Sequence, residues 1–222
     1  MMEIKAINFD FYGTVVDWLP VWEEVTAKIV IENDLKISPK DFAIEWRSAQ
    51  RQFIETKEFT LYREVIRLGL NAVCDKYVIK NKDYHEILYS KWKEIKPFPE
   101  VPETLKRIRQ KCRMAVCSNS ARDFMAALLA KLPIKFDAVL ISDETKVNKP
   151  HPKMYELAIN ALAVPKENIL HIASSQMDVK GATKAGLTVC WINRRKEKRL
   201  PDTPAPTFEI HTLDEVLKII EK

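Results

Sequence analysis

The chain has 222 residues, 46% of them hydrophobic, enough to bury a sizeable core in one domain plus an insertion, so a globular protein is expected. Its formal charge of +5 would mildly attract anionic substrates, but no dense Lys/Arg patch is interleaved with aromatics, which argues against nucleic acid as a partner. The first residues lead straight into a strand, no apolar run is long enough to span a membrane, and Cys74, Cys112, Cys117 and Cys190 show no CxxC pairing; neither secretion nor membrane insertion is expected, and the cysteines read as reduced core thiols of a cytoplasmic protein.

The first element is an apolar strand ending in Ile7-Asn8-Phe9-Asp10, which delivers one carboxylate to its C-terminal edge, and Tyr12-Gly13-Thr14 then forms a turn that would aim Asp10 into a cleft. From roughly residue 16 to 97 no convincing strand appears and amphipathic helical patterns dominate; Phe42, Trp46, Ala49 and Phe53 recur at helical spacing on one face. This predicts a helical cap, residues 16–97, inserted after the first strand. Lys96-Pro97-Phe98-Pro99-Glu100-Val101-Pro102 is stiff and extended and marks the return to the core. Beyond it, apolar strand-like runs at 113–117, 137–141, 169–173 and 187–192 alternate with helical stretches near 121–131, 152–163 and 178–185. With the first strand they predict an α/β fold, a doubly wound, Rossmann-like parallel sheet with helices on both faces, built from residues 1–15 and 98–222. The basic run Arg194-Arg195-Lys196-Glu197-Lys198-Arg199 lies between the last strand and a Pro-rich stretch and reads as a solvated loop.

Ligands of such sheets bind outside the carboxyl ends of the strands, where Asp10, Ser118 and Ser174 each fall. Alone, Asp10 reads as a strand-end aspartate capping a loop, Ser118-Asn119-Ser120 as a helix cap, and Lys149 as a solvated surface group. Together they point to an anion site. The Ser118 hydroxyl and backbone N–H groups would sit at a helix start, and Lys149, held extended by Pro150, would keep a nearby Asp10 ionised, as a nucleophile requires.

The order and approximate spacing of Asp10, Ser118, Lys149 and the segment Ser174-Ser175-Gln176-Met177-Asp178, with Gly181-Ala182 after it, resemble the haloacid dehalogenase superfamily. More narrowly, Asp10-Phe11-Tyr12-Gly13-Thr14, Trp46-Arg47, Ser118-Asn119, Lys149-Pro150, Tyr155-Glu156-Leu157-Ala158, Ser174-Ser175 and Cys190-Trp191-Ile192-Asn193-Arg194 resemble the L-2-haloacid dehalogenases, across the whole core and thinly over the cap. In the phosphatases of the superfamily a second aspartate, two places after the nucleophile, protonates the departing alkoxide, and an acid at the position of Ser174 helps anchor magnesium. Here the first position is Tyr12, a poor acid near neutral pH with a reference pKa of about 10, whereas halide leaves without a proton. Serine at 174 removes one of the carboxylates that magnesium favours. The resemblance therefore implies a metal-independent hydrolase with no cofactor, acting on short 2-haloalkanoic acids, preferentially the L enantiomer, with inversion at carbon 2.

The same resemblance implies the roles. Asp10 displaces halide to form an ester that water then cleaves; Lys149 and Ser118 orient it, Ser118 and Asn119 donate to the substrate carboxylate, and Arg47 cradles the halide. Ser174 and Asp178 position or activate the hydrolytic water, and Thr14 and Tyr155 support the nucleophile and the lysine. Tyr12, Phe59 and Gln176 complete the expected substrate-binding set with Asn119 and Tyr155. Two departures stand out: the Ser174–Asp178 loop is one residue shorter than the family's and lacks its aromatic, and the aromatic-rich stretch after Trp-Arg is replaced by Ser48-Ala49-Gln50-Arg51-Gln52-Phe53. They leave two other readings open, a magnesium-dependent small-molecule phosphatase or phosphonate hydrolase on the same scaffold, and a non-catalytic binding protein that kept the fold. The expected partner is a small anionic substrate, and a cap-mediated homodimer would be in keeping with the family.

Overall fold

Short apolar runs that must hide both faces do so in a parallel sheet covered by helices, and this chain folds in that way. The computed structural model describes residues 3–56 and 58–221; residues 1, 2 and 222 of the expected core domain and residue 57 of the expected cap lie outside the described residues. In chain order the elements are β1 (Ala6–Phe9), β2 (Val16–Asp17), α1 (Leu19–Glu32), α2 (Pro39–Ala49), α3 (Arg51–Ile54), α4 (Tyr62–Lys76), α5 (Tyr84–Lys91), β3 (Lys96–Pro97), α6 (Val101–Arg109), β4 (Arg113–Ser118), α7 (Arg122–Leu129), β5 (Ala138–Ile141), α8 (Ser142–Thr145), α9 (Pro152–Leu162), β6 (Ile169–Ala173), α10 (Gln176–Lys184), β7 (Thr188–Ile192), β8 (Phe208–Ile210) and α11 (Leu217–Ile220). Six strands form one sheet in the order β5-β4-β1-β6-β7-β8, each pair parallel.

Strand alternation sorts the core onto the two faces. Ile7 and Phe9 of β1 join a large cluster that includes Leu105 and Ile108 of α6 and Phe124 and Leu128 of α7. Ala6 instead faces a second cluster with Tyr155 of α9 and Val179 and Ala182 of α10. Two features depart from the pattern in the sequence. β8 extends the sheet within the Pro-rich stretch, and β2 pairs antiparallel with β3, Val16 opposite Pro97 and Asp17 opposite Lys96, where the sequence predicts no strand pairing.

The helices of the insertion are set by local chemistry. Ser38 caps α2 by accepting the Asp41 N–H at 3.0 Å, with Pro39 in the first turn. The predicted apolar face is present: Phe42 and Trp46 are fully buried, and Ala49 and Phe53, partly buried, pack against the cluster that contains them. Trp46 packs on Trp22 at 4.7 Å and donates its indole N–H to the Ile66 carbonyl at 2.8 Å, so the ring hides its area without stranding its donor. The insertion docks on the core where Trp92 stacks on Phe124 at 4.1 Å and the Asp143 carboxylate accepts the Tyr62 N–H at 2.8 Å. Among the described residues no helix is long and apolar enough to cross a membrane.

Candidate active site

Because β1, β4 and β6 run side by side and parallel, Asp10, Ser118 and Ser174 arrive at one edge of the sheet. The Asp10 N–H continues the ladder, donating to the Ile172 carbonyl at 2.9 Å, which fixes the carboxylate in place. The chain then turns at Gly13, whose φ of +87° is the left-handed region and where a Cβ would sit 3.0 Å from Ser174 Oγ. Asp10 Oδ1 accepts from Lys149 Nζ at 2.8 Å, and Oδ2 accepts from Ser174 Oγ at 2.8 Å and Thr14 Oγ1 at 3.3 Å. Each oxygen of the carboxylate therefore has its own donors.

Lys149 Nζ also donates to Asp178 Oδ2 at 2.6 Å. Asp178 Oδ1 accepts from the Tyr155 hydroxyl at 2.7 Å and lies 3.2 Å from His171 Nε2, off the line a hydrogen bond needs. The Lys149 and Asp178 side chains are only 5% and 3% exposed, so water screens this pair little. Burial disfavours the Lys149 charge, but Asp10 and Asp178 outweigh it and raise the lysine above its ordinary value, fixing it as a cation. Burial likewise opposes the Asp178 charge, and Lys149 with His171 overrides it, holding the carboxyl well below the usual range. Burial pushes the nearby Cys117 thiol up to about 12, a neutral group and no second nucleophile. The approach of α10 depends on Gly181, where a Cβ would collide with the Tyr155 hydroxyl and with Pro150.

Above Asp10 a cavity of about 410 Å³ opens between the sheet edge and the helical insertion, and Ser118, Lys149, Ser174 and Asp178 line its floor. Arg47 forms part of the wall: it donates to the Tyr62 hydroxyl at 2.9 Å and lies 5.0 Å from the Trp18 ring and 5.7 Å from the Tyr12 ring. Burial works against its charge, but Tyr62, Asp10 and Tyr12 together raise its pKa. Tyr12 is wall rather than acid. Its hydroxyl is 2.8 Å from Ser120 Oγ, its ring stacks on Tyr62, and burial, with Tyr62 adding, raises the phenol above its ordinary value. The Ser118 hydroxyl is buried and has no partner among the described residues.

Several expected residues stand elsewhere. Phe59 does not line the cavity; Lys146 Nζ lies over its ring at 5.4 Å. Gln176 turns away: α10 begins there, and its amide donates to the Lys198 carbonyl at 3.1 Å and accepts the Leu200 N–H at 2.7 Å. Tyr155 is fully buried behind Asp178 and reaches no substrate. Asn119 lines the cavity, but its amide clamps the Lys149 backbone, donating to the carbonyl at 3.0 Å and accepting the N–H at 2.7 Å. Arg194 is not part of a solvated loop. It donates to the Gly13 and Thr14 carbonyls at 3.2 and 2.8 Å, pairs with Glu100 at 2.7 Å and lies 3.6 Å from the Phe98 ring.

The donors do not suit a magnesium ion, which wants a shell of oxygen ligands. An ammonium group sits between the two carboxylates, Asp178 is committed to Lys149 and Tyr155, and Ser174 donates to Asp10 where a further carboxylate would be needed. Sequence reading passed over Trp18 and Tyr62 in the wall, and Asn8 and His171 beneath the floor, where Asn8 Nδ2 and His171 Nδ1 lie 3.0 Å apart. The last two carried a signal: a polar side chain inside a strand buried on both faces needs a partner.

Residues 4–186 match the model of a haloacid dehalogenase-like hydrolase family. The chain is 28% identical to "Haloacetate dehalogenase H-2" of Moraxella sp. (strain B), with 99% of each chain covered. It is 33% identical to "(S)-2-haloacid dehalogenase" of Xanthobacter autotrophicus, covering 89% of this chain and 78% of the relative. The solved structure of an L-2-haloacid dehalogenase from Xanthobacter autotrophicus with chloropropionic acid covalently bound superposes with a TM-score of 0.82 at 21% identity, with 98% of each chain covered.

Proposed function

Because the chain belongs to the haloacid dehalogenase-like hydrolase family, we propose that it is an L-2-haloacid dehalogenase working through an ester of Asp10 and without a metal ion. The observation that carries this reading is the Lys149 ammonium seated between Asp10 and Asp178. A phosphate monoester would bring close to two negative charges toward the Asp10 carboxylate, a load that a dication normally offsets. A 2-haloacid brings one, remote from the reacting carbon. The names of the relatives support the same substrate class.

One Asp10 oxygen attacks carbon 2 opposite the carbon–halogen bond, whose electron pair leaves with the halide, so the configuration inverts. Arg47, charged and half-buried beside the Trp18 and Tyr12 rings, stabilises the departing anion. The Ser118 hydroxyl, unpartnered among the described residues, donates to the substrate carboxylate. Water then adds to the ester carbon of Asp10, the bond from that carbon to the alkyl-bearing oxygen breaks, one water proton goes to the leaving alkoxide and the other to solvent, and the 2-hydroxy acid leaves with Asp10 again a carboxylate. Whichever Asp10 oxygen carries the alkyl group, the other keeps donors from Lys149 or from Ser174 and Thr14 to hold the developing oxyanion. Asp178, held well below the usual carboxylate range, is a weak proton acceptor; it locates the water and anchors Lys149. Residues 16–97 act as the cap that closes over the substrate. The four cysteines, all free and buried, are in keeping with a reducing cytoplasm.

The test is a single turnover of 2-chloropropionate in heavy-oxygen water with excess chelator. Chloride release should persist, and the new oxygen of the first product should be unlabelled because it comes from Asp10. Magnesium-dependent release of phosphate from phenyl phosphate, with no halide from any 2-haloacid, would overturn the assignment.

A further inference from the structure

The cavity is larger than a three-carbon haloacid needs. At about 410 Å³ it falls in the range of roughly 300–1,000 Å³ typical of sites for drug-sized ligands, whereas 2-chloropropionate has only a handful of non-hydrogen atoms. Its cations are also more numerous than that substrate can use. Lys149 is held between Asp10 and Asp178, Arg194 is paired with Glu100 at 2.7 Å, and Arg195 with Glu197 at 2.6 Å. Arg47 is left for the halide. Arg51 remains: it lines the cavity, and its guanidinium has no ion pair or hydrogen bond among the described residues.

Arg51 is placed by helical periodicity. Ile44, Arg47, Ser48, Arg51 and Ile54 all line the cavity, at the three- and four-residue steps that keep side chains on one face, and the backbone between α2 and α3 stays helical at Gln50 (φ −63°, ψ −25°). Arg51 therefore stands one turn beyond Arg47, about 6 Å further along the axis. That is the reach of a few carbon–carbon bonds of about 1.5 Å each. Ser48, beside it, offers a hydroxyl, and Ile44 and Ile54 flank the pair with apolar surface.

We propose that Arg51 forms a second anion subsite in this cavity, one helical turn beyond Arg47, and that the preferred substrates are 2-halo dicarboxylic acids of four or five carbons, the distal carboxylate docking on Arg51. The proposal rests on the dehalogenase reading of Asp10. A guanidinium takes a carboxylate through two parallel N–H donors, and an accessible pair of this kind contributes up to about fivefold in binding.

Halide release from 2-chloropropionate, 2-chlorobutyrate, 2-chlorosuccinate and 2-chloroglutarate tests this on the full chain and on Arg51→Ala and Arg195→Ala. The diacids should show the higher kcat/KM, by about twofold to fivefold. Arg51→Ala should erase that ratio, and Arg195→Ala should keep it. A second arm needs no dehalogenation: calorimetric binding of succinate and propionate to Asp10→Asn, with and without Arg51→Ala. Halide released from the monoacids with no diacid advantage, or an Arg51→Ala loss equal on both classes, overturns the subsite alone. Succinate binding that depends on Arg51, with no halide from any acid, keeps the subsite and overturns the dehalogenase reading. Absence of both overturns both.

Discussion

Replacing Lys149 with methionine removes the cation between Asp10 and Asp178 and keeps much of its volume. The two carboxylate oxygens sit 2.8 and 2.6 Å from the same ammonium nitrogen, so they are at most about 5.4 Å from each other. At that separation and an effective dielectric constant of about 20, two unit charges repel by about 3 kcal/mol, or roughly two pKa units. The pair in the variant should hold a shared proton up to about pH 6, where ordinary carboxylates lose theirs near pH 4. Such a group, raised in the folded state, makes stability fall as pH rises from 5 to 7. The wild type does the opposite at its acid end. Asp178 is depressed, so its contribution is present above the ordinary carboxylate range and is lost as pH falls; Lys149 is raised, so its contribution is complete below the ordinary lysine range and is lost as pH climbs through and above it. The contribution of this pair to wild-type stability should be flat between those limits. Lys149→Met should cost about 3–5 kcal/mol at pH 8 and visibly less at pH 5, by denaturant unfolding at each pH. Halide release should drop by about a hundredfold or more at pH 6 and partly recover toward pH 8. A stability loss equal at both pH values, with an unshifted rate profile, would refute the charge reasoning.

Arg47→Ala should lower kcat on 2-chloropropionate by about 10²–10³ and leave KM within a fewfold, because the guanidinium meets its charge only as halide departs; near-normal turnover would place the halide cradle elsewhere. His171→Phe removes the group beside Asp178 and strands the Asn8 amide, so it should destabilise the protein by about 1–3 kcal/mol and slow ester hydrolysis, visible as alkylated protein by intact mass. His171→Gln, which returns an N–H, should clear that adduct; an adduct-free, fully stable His171→Phe would show that Asp178 needs no support from below.

The sheet was legible because strands buried on both faces are continuous apolar runs, and Ile169–Ala173 reads as one even with His171 inside it. β8 escaped because Phe208-Glu209-Ile210 is three residues long in a proline-rich stretch, too short for periodicity to register. Asp10, Ser118, Lys149, Ser174 and Asp178 were legible as a set because Asp10, Ser118 and Ser174 end or follow parallel strands, Asp178 lies in the first turn of α10, and Lys149 precedes a proline just ahead of α9. Gln176, Phe59 and Arg194 were not, because direction decides them. The shortened loop starts α10 at Gln176 and turns its amide toward residues 198–200. The carbonyls that hold Arg194 lie some 180 positions earlier in the chain, where no local pattern can find them.

The two-residue ribbon of β2 and β3 sets Val16 against Pro97 and Asp17 against Lys96, so the stretch from 18 to 95 leaves and re-enters the core through a doorway about 5 Å wide. A module with adjoining ends can be exchanged without stretching the sheet. Asp10, Lys149, Ser174 and Asp178 remain on one side of that doorway, and Arg47 and Arg51 travel with the other. The nucleophile and its partners thus sit in one parcel, and the proposed halide cradle and distal anion subsite in the other, so grafting residues 18–95 from a relative onto this core should change both the carbon–halogen step and selectivity.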